Sequence, residues 1–452
     1  MKTIVFDDDP TGSQTVHDCP LLLKWDKDTI LRQIDKSSLL FILGNTRSLT
    51  PEFAETRTRE ICKSLLLALA EKELLIKDFF IVSRGDSTLR GHGVLEPQII
   101  NEELGPFDAT FHIPAFFEGG RLTLKGTHFL NGIPVHKTTF GNDKIFGYST
   151  SFLPKWIEEK SNGKIKDSDV HLISIEKLEE AKNSKIKMDN LIQVLASFSS
   201  NHTVIVDAKS PSDLDIFCRA VNTLNGKKRF LFRSAASLIN SLTNVRSYHN
   251  ERKDFSSLRI KSENNGFKPG LVIVGSHVSL ADQQLDVLLK EEKCMGIELP
   301  VQRISRLLNE EFPEPLIVDM EYSISKKLID VLKQNKTPVL YTSRGELYFS
   351  SNISRMKFGV SMAEFMANIS ATVIDRLGYI ISKGGITTNT LLTSCFNAEL
   401  VILKGQIMPG LSLVCLPDSQ LGSSFPIVTF PGNLGNKFSL LHAWRIMESN
   451  AK

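Results

Sequence analysis

Short runs of β-branched and aromatic residues alternate with longer amphipathic stretches along almost the whole sequence. This alternation is typical of repeated strand–helix–strand units, which place parallel strands side by side in one sheet. We therefore predict an α/β protein made of two α/β domains with mainly parallel sheets. The first series of strands is predicted at residues 3–6, 39–43, 79–82, 110–113, 204–207 and 229–232, and the second at 271–274, 316–319, 338–341, 379–382, 400–403 and 427–430.

A polar stretch separates the two series of strands. It runs from about residue 250 to 270, carries charged residues and glycine, and repeats no apolar face, as expected of a linker. The chain of 452 residues is long enough for two or three domains of roughly 150 residues each. We predict an N-terminal domain at 1–250, a linker at 251–269 and a C-terminal domain at 270–452.

The charge balance limits the kinds of molecule that we expect the protein to bind. Lys and Arg total 54 and Asp and Glu total 51, which gives a formal net charge of +3. So small an excess argues against nucleic acid and against a membrane surface, and it favours a small molecule. The six cysteines are scattered, with no pair at metal-site or redox spacing, so we expect reduced, structural thiols. No apolar stretch has the length of a signal peptide or a membrane span, and we expect a soluble, cytoplasmic protein.

Three aspartates follow the first predicted strand, in the segment Asp7-Asp8-Asp9-Pro10-Thr11-Gly12. Ligands of α/β proteins bind beyond the carboxyl ends of the strands, so a polar segment in this place is informative. Three adjacent carboxylates repel one another unless a cation, a basic residue or a substrate hydroxyl compensates for their charge. The alternative is structural, with one acid capping a helix and the rest of the segment forming a turn. Because capping requires one carboxylate rather than three, we favour a binding or catalytic role.

Arginines and glycines follow two further strands of the first series. The strand at 79–82 leads into Ser83-Arg84-Gly85-Asp86-Ser87-Thr88-Leu89-Arg90-Gly91, and the strand at 39–43 leads into a weaker cluster that ends in Arg47. Guanidinium groups match carboxylate or phosphate oxygens in bidentate fashion, and glycines let the backbone approach a ligand. These segments are predicted to lie near the aspartates, where their charges are complementary. A glycine-rich loop with surface arginines is the alternative.

A third cluster, at 114–121, follows the strand at 110–113 and ends in Arg121. It continues into a turn-rich stretch at 126–134 without apolar periodicity. Long loops inside compact domains are usually functional or disordered, so we predict a long loop of one of these two kinds here.

Glycine-rich loops follow three strands of the second series. They lie at 274–277, 382–389 and 430–436, and helices are predicted to begin after them near residues 279, 391 and 438. Backbone N–H groups in such loops bind phosphates together with helix N-termini, so three loops in one domain favour a nucleotide site. None of them matches G-x-x-x-x-G-K-[ST] or G-x-G-x-x-G, and the sequence has neither a metal-binding histidine pattern nor G-x-S-x-G. A P-loop, a dinucleotide fingerprint and a hydrolytic triad are therefore not supported.

Together these motifs resemble those of the four-carbon acid sugar kinase family. Asp8-Asp9-Pro10-Thr11-Gly12 is similar to the family's D-D-x-T-G segment, and residues 86–91 match its D-S-T-L-R-G motif. The glycine loops resemble its nucleotide-binding loops, so the likeness extends over nearly the whole chain. The resemblance implies an N-terminal domain that binds a small sugar acid, a C-terminal domain that binds ATP, and phosphate transfer to a substrate hydroxyl in the cleft between them.

The resemblance also implies roles for individual residues. Asp8 and Asp9 would orient the substrate hydroxyl or accept its proton, and Arg90 with Arg121 would bind the carboxylate of the acid. The other substrate-binding residues implied are Thr11, Arg47, Asp86 and Ser87, and those implied for ATP are Ser276, Gly384, Gly385, Ile386, Thr387 and Gly432. Mg²⁺ is implied by the chemistry of phosphate transfer, without an assigned ligand. The expected substrates are tetronate or 3-oxo-tetronate acids, and the oligomeric state stays open, a homo-oligomer included.

Two segments depart from the family's pattern, and two alternative functions stay open. Ile386 follows the paired glycines where relatives often carry an acid, and residues 141–143 depart from the family's A-R-D pattern, so neither a metal contact nor the particular sugar acid follows from the sequence. A haloacid-dehalogenase-type phosphatase would use Asp7 as nucleophile and Asp9 as acid, because this segment also fits D-x-D-x-T. A protein that binds a small molecule without catalysis would keep the same clefts. Which carboxylate is the general base also stays open.

Overall fold

The computed structural model describes residues 2–12, 15–243, 254–263, 266–276, 278–307, 314–344, 349, 351–417 and 424–449. The chain divides into two units, Met1–Tyr248 and His249–Lys452. Each unit combines helices with a mainly parallel sheet, which confirms the predicted fold class. Among the described helices, none is both long and apolar enough to cross a membrane.

A parallel sheet of eight strands and a small antiparallel sheet form the framework of the N-terminal unit. The strands are β1 (Lys2–Asp7), β2 (Cys19–Leu22), β3 (Leu39–Leu43), β4 (Phe79–Arg84), β5 (Ala109–Ile113), β6 (Arg121–Leu124), β7 (Thr127–Leu130), β8 (Ile133–Pro134), β9 (His171–Ile173), β10 (His202–Val206) and β11 (Phe230–Ser234). The helices are α1 (Lys27–Gln33), α2 (Pro51–Glu71), α3 (Leu95–Leu104), α4 (Leu153–Lys160), α5 (Ile175–Asn183), α6 (Lys185–Ser197), α7 (Pro211–Thr223) and α8 (Ala236–Thr243). The parallel sheet has the order β2-β3-β1-β4-β11-β5-β10-β9.

The central strands of this sheet are buried along their whole length. Every residue of β3, β4, β5 and β11 is buried, as in strands that helices cover on both faces. Their continuous apolar runs explain why the sequence predicts them well. All side chains that follow β1, β3, β4, β5 and β11 emerge at one edge of the sheet, because these five strands are adjacent and parallel.

The turn-rich stretch at 126–134 is not the long irregular loop that we predict from the sequence. It belongs to the small antiparallel sheet β6-β7-β8. Asn131 and Gly132, both with positive φ, form the two-residue turn that joins β7 to β8. His128, fully buried in β7, links this sheet to the segment after β4 through a hydrogen bond of 2.8 Å between its Nε2 and the Ser87 carbonyl oxygen.

The C-terminal unit is built on a mixed sheet of seven strands. Its strands are β12 (Gly270–Val274), β13 (Cys294–Leu299), β14 (Thr337–Thr342), β15 (Tyr379–Lys383), β16 (Leu400–Met408), β17 (Leu411–Leu416) and β18 (Phe425–Phe430), in the order β13-β14-β12-β15-β18-β17-β16. Its helices are α9 (Ser279–Leu288), α10 (Val301–Leu307), α11 (Glu314–Lys333), α12 (Asn352–Ala371), α13 (Gly385–Thr390) and α14 (Ser439–Glu448). The first five strands of the order are parallel, and β17 runs antiparallel to both β18 and β16.

Two predictions for the second half of the chain are wrong. The strand predicted at 316–319 lies in α11, where Leu316 and Val318 are exposed and the buried residues are Ile324, Leu328, Val331 and Leu332 at helical spacing. The helix predicted to begin near Leu391 begins at Gly385 as α13.

The predicted linker at 251–269 lies partly outside the described residues. Its described part packs within the C-terminal unit. Arg259 is buried, donates to the Met447 and Lys268 carbonyl oxygens at 3.1 and 3.0 Å, and lies 3.2 Å from a carboxylate oxygen of Glu448. Phe255 and Ser256 are buried as well.

Candidate active-site residues in the two units

Arginines surround the run of aspartates at the carboxyl end of β1. Asp7, Asp8 and Asp9 are all buried. Arg84, the last residue of β4, donates from Nη1 to Asp8 Oδ1 at 3.0 Å and to Asp7 Oδ1 at 3.3 Å. Arg47, which follows β3, forms an ion pair with Asp9. Basic residues therefore compensate for the charge of the three carboxylates.

Asp9 differs from its neighbours because its partners hold it in the ionised form. Its Oδ1 accepts hydrogen bonds from the Thr11 amide at 2.7 Å and from the Thr11 hydroxyl, while Oδ2 pairs with Arg47. Burial alone would raise the pKa of Asp9, but the Arg47 charge and the Thr11 hydrogen bonds lower it below the usual value. The Asp9 carboxylate therefore stabilises the turn at Pro10 by binding Thr11, the residue that follows the proline.

Asp7 and Asp8 have the opposite electrostatic balance. Burial raises the pKa of Asp7 to about 7, and burial also raises the pKa of Asp8, although three arginines oppose the shift. The Oδ2 atoms of both carboxyls are buried and have no hydrogen-bond partner among the residues described. A buried carboxyl with a raised pKa and a vacant oxygen is suited to accept and hold a proton.

Asp86 organises the segment after β4. Its carboxylate accepts from Arg90 Nε at 2.7 Å and from the Thr88 hydroxyl at 2.5 Å, and Arg47 Nη1 lies 3.6 Å away. Burial opposes ionisation, but the charges of Arg90 and Arg47 hold the pKa of Asp86 well below its usual range. Arg90 also lies 3.7 Å from Asp143, so two carboxylates already surround its guanidinium group.

Arg121 is the arginine of this edge that is best placed for a ligand's carboxylate. It is 4% exposed, and none of the ion pairs found among the described residues includes it. Its Nη1 donates to the Gly119 carbonyl oxygen at 2.7 Å, its guanidinium carbon lies 5.8 Å from the centre of the Phe116 ring, and its buried Nε has no partner within the described part of the chain. A carboxylate accepts two parallel N–H donors from such a group.

Two residues of this cluster, Arg233 and Glu96, were not predicted from the sequence. Arg233 in β11 forms an ion pair with Glu96 of α3, donates to Ser83 Oγ at 2.8 Å, and places Nη2 at 4.0 Å from Asp8 Oδ2. The position of Arg233 after the predicted strand at 229–232 is a signal that could have found it. Glu96 lies on a largely apolar helix and carries no such signal.

A pocket lies beside this cluster within the N-terminal unit. Polar groups line one part of it and apolar side chains line the other. The lining residues are Gly85, Asp86, Leu89, Arg90, Gly93, His112, Pro114, Leu153, Trp156, Ile157, Arg233 and Ser234. Burial, with a smaller contribution from Arg233, lowers the pKa of His112 to about 3, so this histidine is neutral at physiological pH.

The predicted nucleotide-binding residues of the C-terminal unit also come together. Ser276 follows β12, Gly384 follows β15 and Gly432 follows β18, and these three strands are adjacent and parallel. A methyl group placed on Gly432 would lie 2.6 Å from Ser276 Oγ, and one on Gly384 would lie 3.5 Å from the Ser276 amide nitrogen. Gly384 has φ +123°, a backbone conformation that favours glycine. The three loops are thus in direct contact.

The other residues that are predicted to bind the nucleotide lie at the start of α13. Gly385, Ile386 and Thr387 are its first three residues, and Thr387 is buried against Gly275, where a methyl group would lie 2.1 Å from Thr387 Oγ1. Arg344, which the sequence analysis missed, donates to the Ser276 carbonyl oxygen at 2.8 Å. It follows β14, the strand next to β12, so the same rule of strand ends applies to it.

No metal site accompanies these residues in the described ranges. Within those ranges, no three His, Cys, Asp or Glu side chains are grouped so that they could hold a metal ion. Mg²⁺ in kinases is bound mainly by substrate phosphates, water and one or two carboxylates, so a preformed cage is not required.

Comparisons with known proteins agree with this arrangement. Residues 3–242 match the family described as "Sugar-binding N-terminal domain", and residues 271–440 match "Nucleotide-binding C-terminal domain". D-threonate kinase from Salmonella typhimurium is 22% identical over 348 residues, which cover 74% of this chain and 72% of that kinase.

Solved structures share the fold. A Salmonella typhimurium LT2 protein has a TM-score of 0.68 at 14% identity, with 98% of this chain and 99% of the other covered. Haemophilus influenzae protein HI1011 has a TM-score of 0.61 at 16% identity, with coverage of 98% and 100%. At these identities the structural likeness shows the fold alone. The two domain matches, which span most of the chain, show that it belongs to the four-carbon acid sugar kinase family.

Proposed function

We propose that the protein transfers the γ-phosphate of ATP to a hydroxyl group of a small sugar acid of the tetronate or 3-oxo-tetronate type. The observation that carries the proposal is that a buried carboxyl group and a buried guanidinium group lie at the same edge of the sheet. Asp8 is a buried carboxyl with a raised pKa, and Arg121 is a buried guanidinium without a carboxylate partner among the described residues. One ligand that has both a hydroxyl and a carboxylate satisfies both groups. Similarity to D-threonate kinase, a sugar-acid kinase by name, supports the same substrate class.

In this proposal Asp8 accepts the proton of the substrate hydroxyl as its oxygen attacks the γ-phosphorus. The bond to the β-phosphate oxygen breaks, and ADP leaves. Arg121 binds the substrate carboxylate, assisted by Arg90. Asp9 keeps the turn in place through Thr11 and Arg47, and Asp86 with Ser87 holds the segment after β4. General base catalysis by one positioned carboxylate is worth roughly 10²–10⁴-fold in rate.

The C-terminal unit is proposed to bind ATP through Ser276, Gly432 and the segment Gly384-Gly385-Ile386-Thr387. These loops approach one another closely, and loops of this kind that bind anions do so through backbone N–H groups. Mg²⁺ is proposed to enter with the ATP phosphates and to neutralise their charge.

The test is release of ADP from ATP in the presence of a panel of four-carbon aldonic and 3-oxo acids. Asp8→Asn is expected to lower kcat by at least about 100-fold while the protein stays folded. Arg121→Ala is expected to raise KM for the acid by about 10–100-fold, the cost of one charge-assisted hydrogen-bonded pair. Arg59→Ala, at a surface cluster with Glu55 and Glu102, is the matched control and is expected to change neither. Full turnover by Asp8→Asn would remove the proposed role of that residue.

The geometry argues against the phosphatase alternative. That mechanism needs Asp9 as a protonated acid, whereas the Asp9 carboxylate accepts a hydrogen bond from Thr11 and pairs with Arg47, and its pKa is lowered. Hydrolysis of p-nitrophenyl phosphate that depends on Asp7, without ADP release from any sugar acid, would reverse this conclusion. Binding of a sugar acid without turnover by the wild-type protein would favour a non-catalytic binding protein.

A further inference from the structure

Lys383 is a fully buried lysine at the carboxyl end of β15. Its relative exposure is 0%, and no ion pair found among the described residues includes it. Burying an ammonium group without a carboxylate is costly, so such a residue calls for an explanation. Neither the predicted catalytic residues nor the predicted nucleotide contacts use it.

The Lys383 side chain is bound to the loop that follows the neighbouring strand β18. Its Nζ donates to the carbonyl oxygens of Pro431 at 3.0 Å and of Gly432 at 3.3 Å. It also lies 4.0 Å from the centre of the Phe430 ring, a favourable contact for a cation or a polarised N–H group. Lys383 therefore connects two of the three loops that form the candidate nucleotide site.

Two effects disfavour the charged form of Lys383. Burial, with a smaller effect from the Arg344 charge, holds the pKa of Lys383 well below that of an ordinary lysine. Arg344 is itself 3.1 Å from Asp282 of α9. A neutral amine retains two N–H groups, which equals the number of carbonyl oxygens that Lys383 contacts. The two hydrogen bonds therefore do not depend on the charge.

The loop that Lys383 holds has little freedom to move. Gly432 lies so close to Ser276 that a methyl group there would be 2.6 Å from Ser276 Oγ. The Gly384 amide donates to the Phe430 carbonyl oxygen at 3.0 Å, one residue before the loop. If the Pro431 and Gly432 carbonyl oxygens lost their donor, the side-chain link between β15 and this loop would be lost.

We propose that Lys383 is a positioning residue of the nucleotide site, which ties the Pro431–Gly432 segment to β15 and so preforms the cradle for a nucleotide phosphate. The inference rests on the proposed function, because it takes the C-terminal unit to bind ATP. Preformed backbone donors bind a phosphate without the cost of ordering a loop at the moment of binding.

The test compares Lys383→Met with Lys268→Met in the full chain. Lys268 also donates to a backbone carbonyl oxygen, that of Asp375 at 2.6 Å, but it lies near the amino end of β12. Calorimetric titration with ADP is expected to show Kd raised at least about 10-fold by Lys383→Met, because the loop then has to be ordered when the nucleotide binds. KM for ATP is expected to rise in parallel, with KM for the sugar acid unchanged. Lys268→Met is expected to bind ADP like the wild type.

Each outcome has a distinct meaning. If the wild-type protein does not bind ADP, the proposed function itself is wrong. If the wild type binds ADP and a folded Lys383→Met variant binds it equally well, or loses affinity for both substrates alike, only the positioning role is overturned. Lys383→Gln keeps a side-chain N–H donor, so its Kd for ADP is expected to lie between those of the wild type and Lys383→Met. If neither variant folds, Lys383 is a determinant of stability, and that result also overturns the positioning role.

Discussion

The carboxyl edges of the two sheets are built in opposite ways. In the N-terminal unit, charged side chains meet there, with Arg84 and Arg233 near Asp8 and with Arg121 outside the ion pairs found among the described residues. In the C-terminal unit, backbone groups meet there, in loops that glycine allows to touch. The first edge is thus sensitive to changes in charge, and the second to the addition of a single methyl group.

The largest expected effect breaks the charge balance of the N-terminal edge. Arg84→Met leaves two adjacent buried carboxylates without their shared donor. We expect the free energy of unfolding to fall by about 3–5 kcal/mol, the usual cost of leaving a buried charge unpaired. Denaturant titration measures this free energy of unfolding. Lys187→Met, which removes an exposed ion pair with Glu180, is the control and is expected to cost at most about 1 kcal/mol. Equal losses in the two variants would contradict the buried network.

The next effect concerns the titration of Asp7. Its pKa of about 7 in the folded protein lies above the ordinary 3.8, so the folded protein keeps a proton that the unfolded chain has released. The stability that Asp7 contributes is complete below about pH 4 and is lost as the pH rises through 7.

We expect the free energy of unfolding of the wild type, relative to Asp7→Asn, to fall by about 2–3 kcal/mol from pH 5 to pH 8. Asp189→Asn, an exposed position in α6, is the control and is expected to follow the wild type at every pH. A constant difference between wild type and Asp7→Asn would show that Asp7 has an ordinary pKa.

A smaller effect is expected at the C-terminal edge. Gly432→Ala places a methyl group 2.6 Å from Ser276 Oγ, so the Ser276 hydroxyl group has to shift away from the candidate nucleotide site. We expect KM for ATP to rise by about 10–100-fold, or about 1.4–2.7 kcal/mol, with KM for the sugar acid unchanged. Gly266→Ala, where the nearest atom would be Ser262 Oγ at 3.5 Å, is the matched control. An unchanged KM for ATP would place the nucleotide elsewhere.

Local pattern predicts most of the strands because buried parallel strands are continuous apolar runs, as in β3 and β4. It fails for α11, because three apolar residues and an aspartate at 316–319 are too short a run to distinguish a strand from a helix. It also does not give strand direction, so the antiparallel β17 emerges only from the pairing in the sheet.

The candidate site was predicted in the same uneven way. The aspartates, Arg47 and the segment after β4 lie at strand ends, and the structure places them together. Their individual states were not predictable, because the pKa values depend on burial and on partners far away in the sequence. Glu96, for example, contacts Arg233 across 137 positions of the chain. Lys383 was visible in its motif, but only the fold shows that it is buried and bound to Pro431.

The position of Trp156 gives the protein an optical reporter of its own. The chain has three tryptophans, and Trp156 lines the pocket beside Arg90, whereas Trp444 donates to Thr337 at the amino end of β14 and Trp25 stacks on Arg57 at 4.8 Å. Indole emission responds to the polarity around the ring. With Trp25→Phe and Trp444→Phe, the remaining fluorescence comes from Trp156 alone, so a sugar acid that binds beside it is expected to change the emission without ATP, turnover or a label.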